Sequence, residues 1–253
     1  MSKRFQDFEQ NLDFLRLLQL ADSALPIGAL AHSFGLESLA AEELLSTTDL
    51  PEFFAGFLEE AGTIEAVFCR EGWRLARDTR EARPDTRPRD SGSLNLTFAE
   101  RWVALNDRLS ALKPARESRA GSASLGRNFL NAVTALGESA VVKDAVEASK
   151  EASSLVHHAP AFGLVGATLR FKEHPTVLAY LHQSIASLVS ACQRLLPLGQ
   201  TAATKILWDL KPVIVETAKR SETLGVEDGC CFTPLLDWAA MEHPALRTRL
   251  FIS

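Results

Sequence analysis

The chain is 253 residues long, with 46% hydrophobic and 23% charged residues and a formal net charge of −5. That balance is ordinary for a globular protein, and the acidic surplus argues against a general nucleic-acid binder, which needs basic surface to neutralise phosphates. No apolar run reaches the roughly 18 residues that span a bilayer, and four cysteines in a chain of this length do not make a dense disulfide framework.

Lys3 and Arg4 are followed by a stretch broken by Gln6, Asp7, Glu9 and Gln10, unlike the continuous apolar core of a signal peptide. A cytoplasmic protein is therefore expected. Asp13 precedes a helical pattern of Phe14, Leu17, Leu18 and Ala21. A Pro26-Ile27-Gly28 turn follows, then a new helix start with His32, Ser33 and Glu37 near its free N–H groups. Asp49 reads as an N-cap, with Pro51 in the first turn and Phe53, Phe54, Phe57 and Leu58 behind it. Gly62-Thr63 is expected to separate that helix from one carrying Ile64, Val67, Phe68 and Leu75. The Arg/Pro-rich stretch 79–97 cannot bury a core and is expected to be a flexible loop.

Further helices are predicted over 98–111, 115–136 and 162–171. Val141-Val142 is too short to build a sheet. Over 175–192, Leu178, Leu181, Ile185, Leu188 and Cys192 recur at steps of three and four. That puts them on one stripe of a helix, with Gln183, Ser184, Ser187 and Ser190 mostly off it. A Pro197-Leu198-Gly199 turn leads into a stripe of Ile206, Leu210, Val213 and Thr217, which Pro212 should kink or break. The stretch 225–229 reads as a turn. Thr233-Pro234 makes a cap and first position for a helix over 235–241. The expected fold is all-α: one helical-bundle-like domain over 1–253.

Enzyme signatures are absent. Gly199 to Lys205 lacks the second glycine and the Gly-Lys step of a phosphate-binding loop, and it follows a helix where such a loop needs a strand. No G-x-G-x-x-G, G-x-S-x-G or H-E-x-x-H occurs. No histidine lies four residues from another, so no helix presents a paired ligand set. His157 and His158 read as capping or hydrogen-bonded surface residues. Cys230-Cys231 offers a soft transient metal site or, with more weight, two buried thiols.

Taken as a string, 19–37 with Pro26, Gly28, His32, Ser33, Phe34, Gly35 and Glu37 resembles the UreF family of urease accessory proteins. Further blocks agree in order: Ala115 to Arg119 with Ser122 and Leu125-Gly126-Arg127; His158 with Phe162-Gly163; Ala191, Arg194-Leu195 and Pro197-Leu198-Gly199-Gln200-Thr201. The last are Phe232 to Asp237, Met241-Glu242-His243 and Arg249-Leu250-Phe251-Ile252-Ser253. The likeness covers nearly the whole chain. Leu30 departs from it, standing where the family often has an aromatic residue, and the loop at 79–97 is longer than usual.

The resemblance implies an all-helical, cytoplasmic, dimeric accessory chaperone with no catalytic residues of its own. It implies partnership with UreD (UreH in some organisms), recruitment of the GTPase UreG, and help with nickel insertion into apo-urease. No tightly bound cofactor is expected; nickel would be cargo in transit, with His32, Cys230 and Cys231 as weak contact candidates. The run His243, Arg249, Leu250, Phe251 and Ser253 matches a partner-docking tail, placed at 244–253, against the plain alternative of a frayed end. Arg194, Pro197, Leu198, Gly199, Gln200 and Lys205 match a GTPase-facing turn or a simple helix–helix connection. Pro26, Gly28, His32, Ser33 and Glu37 would line a partner face, a polar path for nickel or a structural network. The competing function is a GTPase-activating or GTPase-regulating protein acting on UreG, for which no single arginine stands out.

Overall fold

A computed structural model describes residues 3–81, 96–229 and 233–253. The helical period governs it throughout, and no strand occurs among the described residues. In chain order the helices are α1 (Lys3–Leu20), α2 (Leu36–Ala41), α3 (Leu50–Phe57), α4 (Thr63–Glu81), α5 (Phe98–Ala111) and α6 (Arg116–Leu136). They continue as α7 (Ala140–Glu151), α8 (His158–Thr168), α9 (Glu173–Leu195), α10 (Gln200–Asp209), α11 (Lys211–Arg220) and α12 (Pro234–Glu242). No described helix is long and apolar enough to cross a membrane.

Local chemistry explains several boundaries. Thr97 and Glu100 form a reciprocal capping box, with the Glu100 carboxylate accepting from the Thr97 N–H at 2.7 Å. Ser139 starts α7 by accepting from the Val142 N–H at 3.3 Å. Pro212 acts as predicted: α10 ends at Asp209, and α11 restarts at Lys211 with the proline in its first turn, where its missing N–H costs nothing.

The core is organised around α8. Every residue from His158 to Ala167 is buried, so this helix is covered all round, by α4, α6 and α9 among others. Its approach to α4 is close because both helices present glycine: a Cβ on Gly72 would stand 2.2 Å from the Pro160 carbonyl oxygen. Phe129 stacks on Phe162 at 5.2 Å, and His158 and Tyr180 close the ring cluster.

Several expectations need correction. Asp49 does not cap α3; its carboxylate accepts instead from the Ser46 N–H and hydroxyl, closing the preceding loop. Gly62-Thr63 does not interrupt the chain, because a π-helical segment, Leu58–Gly62, carries α3 into α4. Helix α8 starts four residues before the predicted 162, since a helix buried on every side shows no polar face to mark it. The helix over 140–151 was not expected: its buried residues are Val142, Ala145, Ala148 and Ser149, of which only the valine carries a strong hydrophobic signal. The polar residues of α9 are not off the buried face, since Gln183 is buried and Ser184 and Ser187 are partly so. The loop expected over 79–97 begins too early, since α4 reaches Glu81, while its end agrees with the α5 cap at Thr97; residues 82–95 lie outside the described residues. His157 and His158 are buried, not on the surface.

Candidate functional site

The residues of the predicted tail do not fray; they are bound into a polar clamp. Glu37 sits in the first turn of α2, which the left-handed Gly35 (φ 94°) places against α12. His243 begins the 3₁₀ turn His243–Ala245 after α12 and is fully buried. Its Nε2 lies 2.8 Å from Glu37 and its Nδ1 2.6 Å from Glu117, which sits in the first turn of α6. Both carboxylates are satisfied when both ring nitrogens carry hydrogen. Arg249 adds a 3.4 Å contact to the other Glu117 oxygen.

Glu37 also holds the main chain. Its two oxygens accept from the Leu250 N–H at 2.6 Å and the Phe251 N–H at 3.2 Å. The Ile252 N–H donates to the Ala31 carbonyl at 2.8 Å, and the Ser253 carbonyl accepts from the Ser33 N–H, the Phe34 N–H and the Ser33 hydroxyl. The Ser253 hydroxyl meets His32 Nδ1 at 2.7 Å. Burial pulls the His32 pKa down, so that ring takes part as a neutral partner. Gly121 of α6 makes room: a Cβ there would stand 2.8 Å from the Ser253 hydroxyl and 3.1 Å from His32 Nδ1.

Arg194, near the end of α9, closes the clamp from outside. It donates to the Leu30 carbonyl at 2.5 Å and the Leu250 carbonyl at 3.4 Å, and its guanidinium lies 4.1 Å from the Phe251 ring centroid. A flat cation that bonds and stacks at once is a task for arginine rather than lysine. Arg194→Ala should weaken the clamp by about 1–2 kcal/mol. Hydrogen exchange at Leu250, Phe251 and Ile252 should then speed up about tenfold. Arg194→Lys should not restore protection, and unchanged exchange in the alanine variant would remove Arg194 from the clamp.

Side chains alternate along the bound segment. Phe251 and Ser253 point inward and are buried, while Leu250 and Ile252 are 60% and 69% exposed. Leu30 is also exposed beside them, through the Arg194 bridge. The result is an apolar pair displayed on a fixed backbone.

The other candidates lie apart from this clamp or at its edge. Pro26 and Gly28 (φ 85°) form the turn before it, held by Asn128 donating to the Ile27 carbonyl at 3.0 Å. Pro197, Leu198 and Gly199 connect α9 to α10, with Leu198 buried and Gly199 in ordinary extended backbone. The Gln200 side chain pairs with Gln193 at 2.7 Å, and Lys205 with Asp209 at 2.6 Å, next to the exposed Trp208. No group of three metal-capable side chains occurs among the described residues, and Cys230 and Cys231 lie outside them. Cys69 and Cys192 are free and buried, and burial pushes the Cys192 thiol up to about 12. Glu117 and Gly121 were missed as site residues. Nothing local marks them, because their partners lie more than eighty residues away.

His157 and His158 belong to the core rather than to the surface. His157 is held by the Ser110 and Ser122 hydroxyls at 2.7 and 3.0 Å. Burial, with the Lys113 charge adding to it, lowers its pKa to about 3, and burial lowers His158 to about 4. Both rings fold neutral, so their stabilisation is complete above the unfolded value near 6.5 and is lost as pH falls toward 4. The two together should lower stability by up to about 2.7 kcal/mol per pH unit across that window. A urea midpoint that is flat between pH 7 and pH 5 would contradict this.

A family model named UreF matches residues 44–211 of the chain. A urease accessory protein UreF of Rhodopseudomonas palustris (strain HaA2) is 30% identical over 247 residues, which cover 97% of this chain and 95% of that protein. The protein of the same name from Lachnoclostridium phytofermentans is 30% identical over 241 residues, covering 94% and 98%. That of Picosynechococcus sp. is 31% identical over 244 residues, covering 94% and 99%.

Proposed function

The chain belongs to the UreF family of urease accessory proteins, and from that membership we propose that it is a scaffold chaperone of urease maturation. In this reading it joins UreD (or UreH), recruits the GTPase UreG, and supports nickel insertion into apo-urease from the cytoplasm, as a homodimer. The observation that carries the reading is the clamp. A segment that would ordinarily fray is fixed by Glu37, Ser33 and Arg194, and the side chains left pointing outward are Leu250 and Ile252. An ordered backbone has already lost the conformational entropy that a disordered tail would lose on binding, so it presents an apolar anchor at lower cost.

Arg194 is committed to Leu30, Leu250 and Phe251. That favours a positioning role for it over insertion into a GTPase site, where an arginine would have to reach the phosphates. The test is co-purification of the chain with UreD and UreG, comparing full length with a version ending at Ala245. The full chain should form a defined complex and the shortened one should lose UreD. Failure of the full chain to bind either protein, each shown to be folded, would end the scaffold reading. Single-turnover GTP hydrolysis by UreG should be unchanged at saturating chain, and acceleration would favour the GTPase-activating alternative.

A further inference from the structure

Helix α9 carries a polar line, Tyr180, Gln183, Ser184 and Ser187, at helical spacing on a face that looks inward. Two of these positions border a cavity without satisfying their own chemistry. Neither Gln183 Oε1 nor Gln183 Nε2 has a hydrogen-bond partner, nor has Ser187 Oγ, and across the same cavity His158 Nε2 is unpartnered too. Gln183 is 2% exposed and His158 6%. Buried polar atoms are paired in the great majority of cases, so this set concentrated at one cavity requires an explanation.

The cavity measures about 140 Å³. That is close to the roughly 150 Å³ of an engineered apolar cavity that takes up benzene. Most of the remaining wall is apolar, with Leu58, Ile64, Leu125 and Leu188 among its residues. A water needs two to four polar partners, which the α9 line and His158 offer and the stretch of wall made by Leu58, Ile64 and Leu125 does not. The lining cation is already matched: Lys113 pairs with Glu65, which also accepts from the Tyr180 hydroxyl at 2.7 Å. Asp237 accepts from the Thr233 hydroxyl at 3.3 Å, and burial raises its carboxyl pKa. Burial keeps the His158 ring neutral. An anionic guest would therefore lose its hydration with no free cation to replace it.

We propose that this cavity is a binding site for a small uncharged amphiphile with a carboxamide head, which pairs with the Gln183 amide and Ser187 while its short apolar tail lies against Leu58 and Leu188. An amide head both donates and accepts, as the free Gln183 side chain does. A mainly apolar pocket with a few convergent polar groups is the usual form of a small-molecule site.

Butyramide is the probe, with butyrate as its charged counterpart. Butyramide at ten times its Kd should raise the Tm of the full chain by about 3–6 °C. Butyrate should not raise it. A crystal soaked in butyramide should show the amide against Gln183. Gln183→Leu should keep or exceed the wild-type Tm, because two unpartnered atoms are removed, and should abolish the butyramide shift. If that variant does not fold, Ser187→Ala carries the test and should raise the Kd several-fold. The proposal is overturned by soaked crystals holding only water in the cavity, by an equal shift with butyrate, by a butyramide shift that survives in Gln183→Leu, or, where only Ser187→Ala folds, by an unchanged Kd in that variant.

Discussion

Glu37→Ala should be among the most damaging substitutions near the surface of this molecule, although Glu37 is neither catalytic nor part of the apolar core. One carboxylate accepts from His243 and from the main-chain N–H groups of Leu250 and Phe251. Removing it leaves the buried His243 facing only Glu117 and leaves two amide groups without a partner. Leaving a buried donor without its acceptor costs about 1–3 kcal/mol, so the loss of all three hydrogen bonds should cost about 3–5 kcal/mol. In a chain of this size that corresponds to a fall in Tm of about 6–15 °C. The freed segment should also lose its protection from hydrogen exchange, and with it the capacity to present Leu250 and Ile252. A Tm within a degree or two of wild type would show that the clamp is not coupled to the fold.

Gly163→Ala should be more severe still, through overpacking rather than loss of charge. A Cβ at Gly163 would stand 1.7 Å from the Cys69 carbonyl oxygen and 2.9 Å from the Trp73 nitrogen. Those are backbone atoms of α4 and cannot rotate away as a side chain would. The only relief is to separate α4 from α8, which breaks packing along the central contact of the core. Overpacking costs typically 1–3 kcal/mol where side chains can adjust. With backbone on both sides we expect more than about 3 kcal/mol and little soluble protein at 37 °C. Gly56→Ala is the control: no atom lies within 4 Å of its Cβ, on an exposed turn of α3. It should stabilise by about 0.5–1 kcal/mol. Soluble, cooperatively unfolding Gly163→Ala protein would refute the close-approach argument.

The parts of this fold that were legible in the sequence are those in which local rules and burial agree. The stripe of Leu181, Ile185 and Leu188 marks α9, the expected helix over 98–111 agrees with α5, and Pro212 marks the break between α10 and α11. What escaped notice has an identifiable physical cause. Helix α8 has no polar face, so periodicity could not delimit it. Helix α7 buries one valine, two alanines and a serine, a face with little hydrophobic signal. Gln183 and Ser187 face inward although polar residues usually mark the solvent side, and the cavity they line is a tertiary feature with no local signature. The site was legible as a set of residues but not as an arrangement. His32, Ser33, Glu37, Arg194, His243 and the last residues stand out through family likeness, yet nothing in the spacing says that Glu37 receives the main chain of Leu250 and Phe251. Glu117 and Gly121 complete the clamp from a separate helix and were not singled out. Lys205 and Gln200 were grouped with Arg194 through family likeness; their own hydrogen bonds and ion pairs stay within the α9–α10 turn and α10 itself.

The central claim is that the clamped segment displays Leu250 and Ile252 as a docking anchor, separable from its role in stability. The direct measurement is the affinity of UreD for the full chain carrying Leu250→Asp and Ile252→Asp together, read beside the Tm of the same variant. Both side chains point outward, so the account predicts an unchanged Tm and at least about a hundredfold loss of affinity, the scale on which truncated hot-spot residues act. Wild-type affinity at an unchanged Tm would contradict it and leave the clamp as a purely structural device.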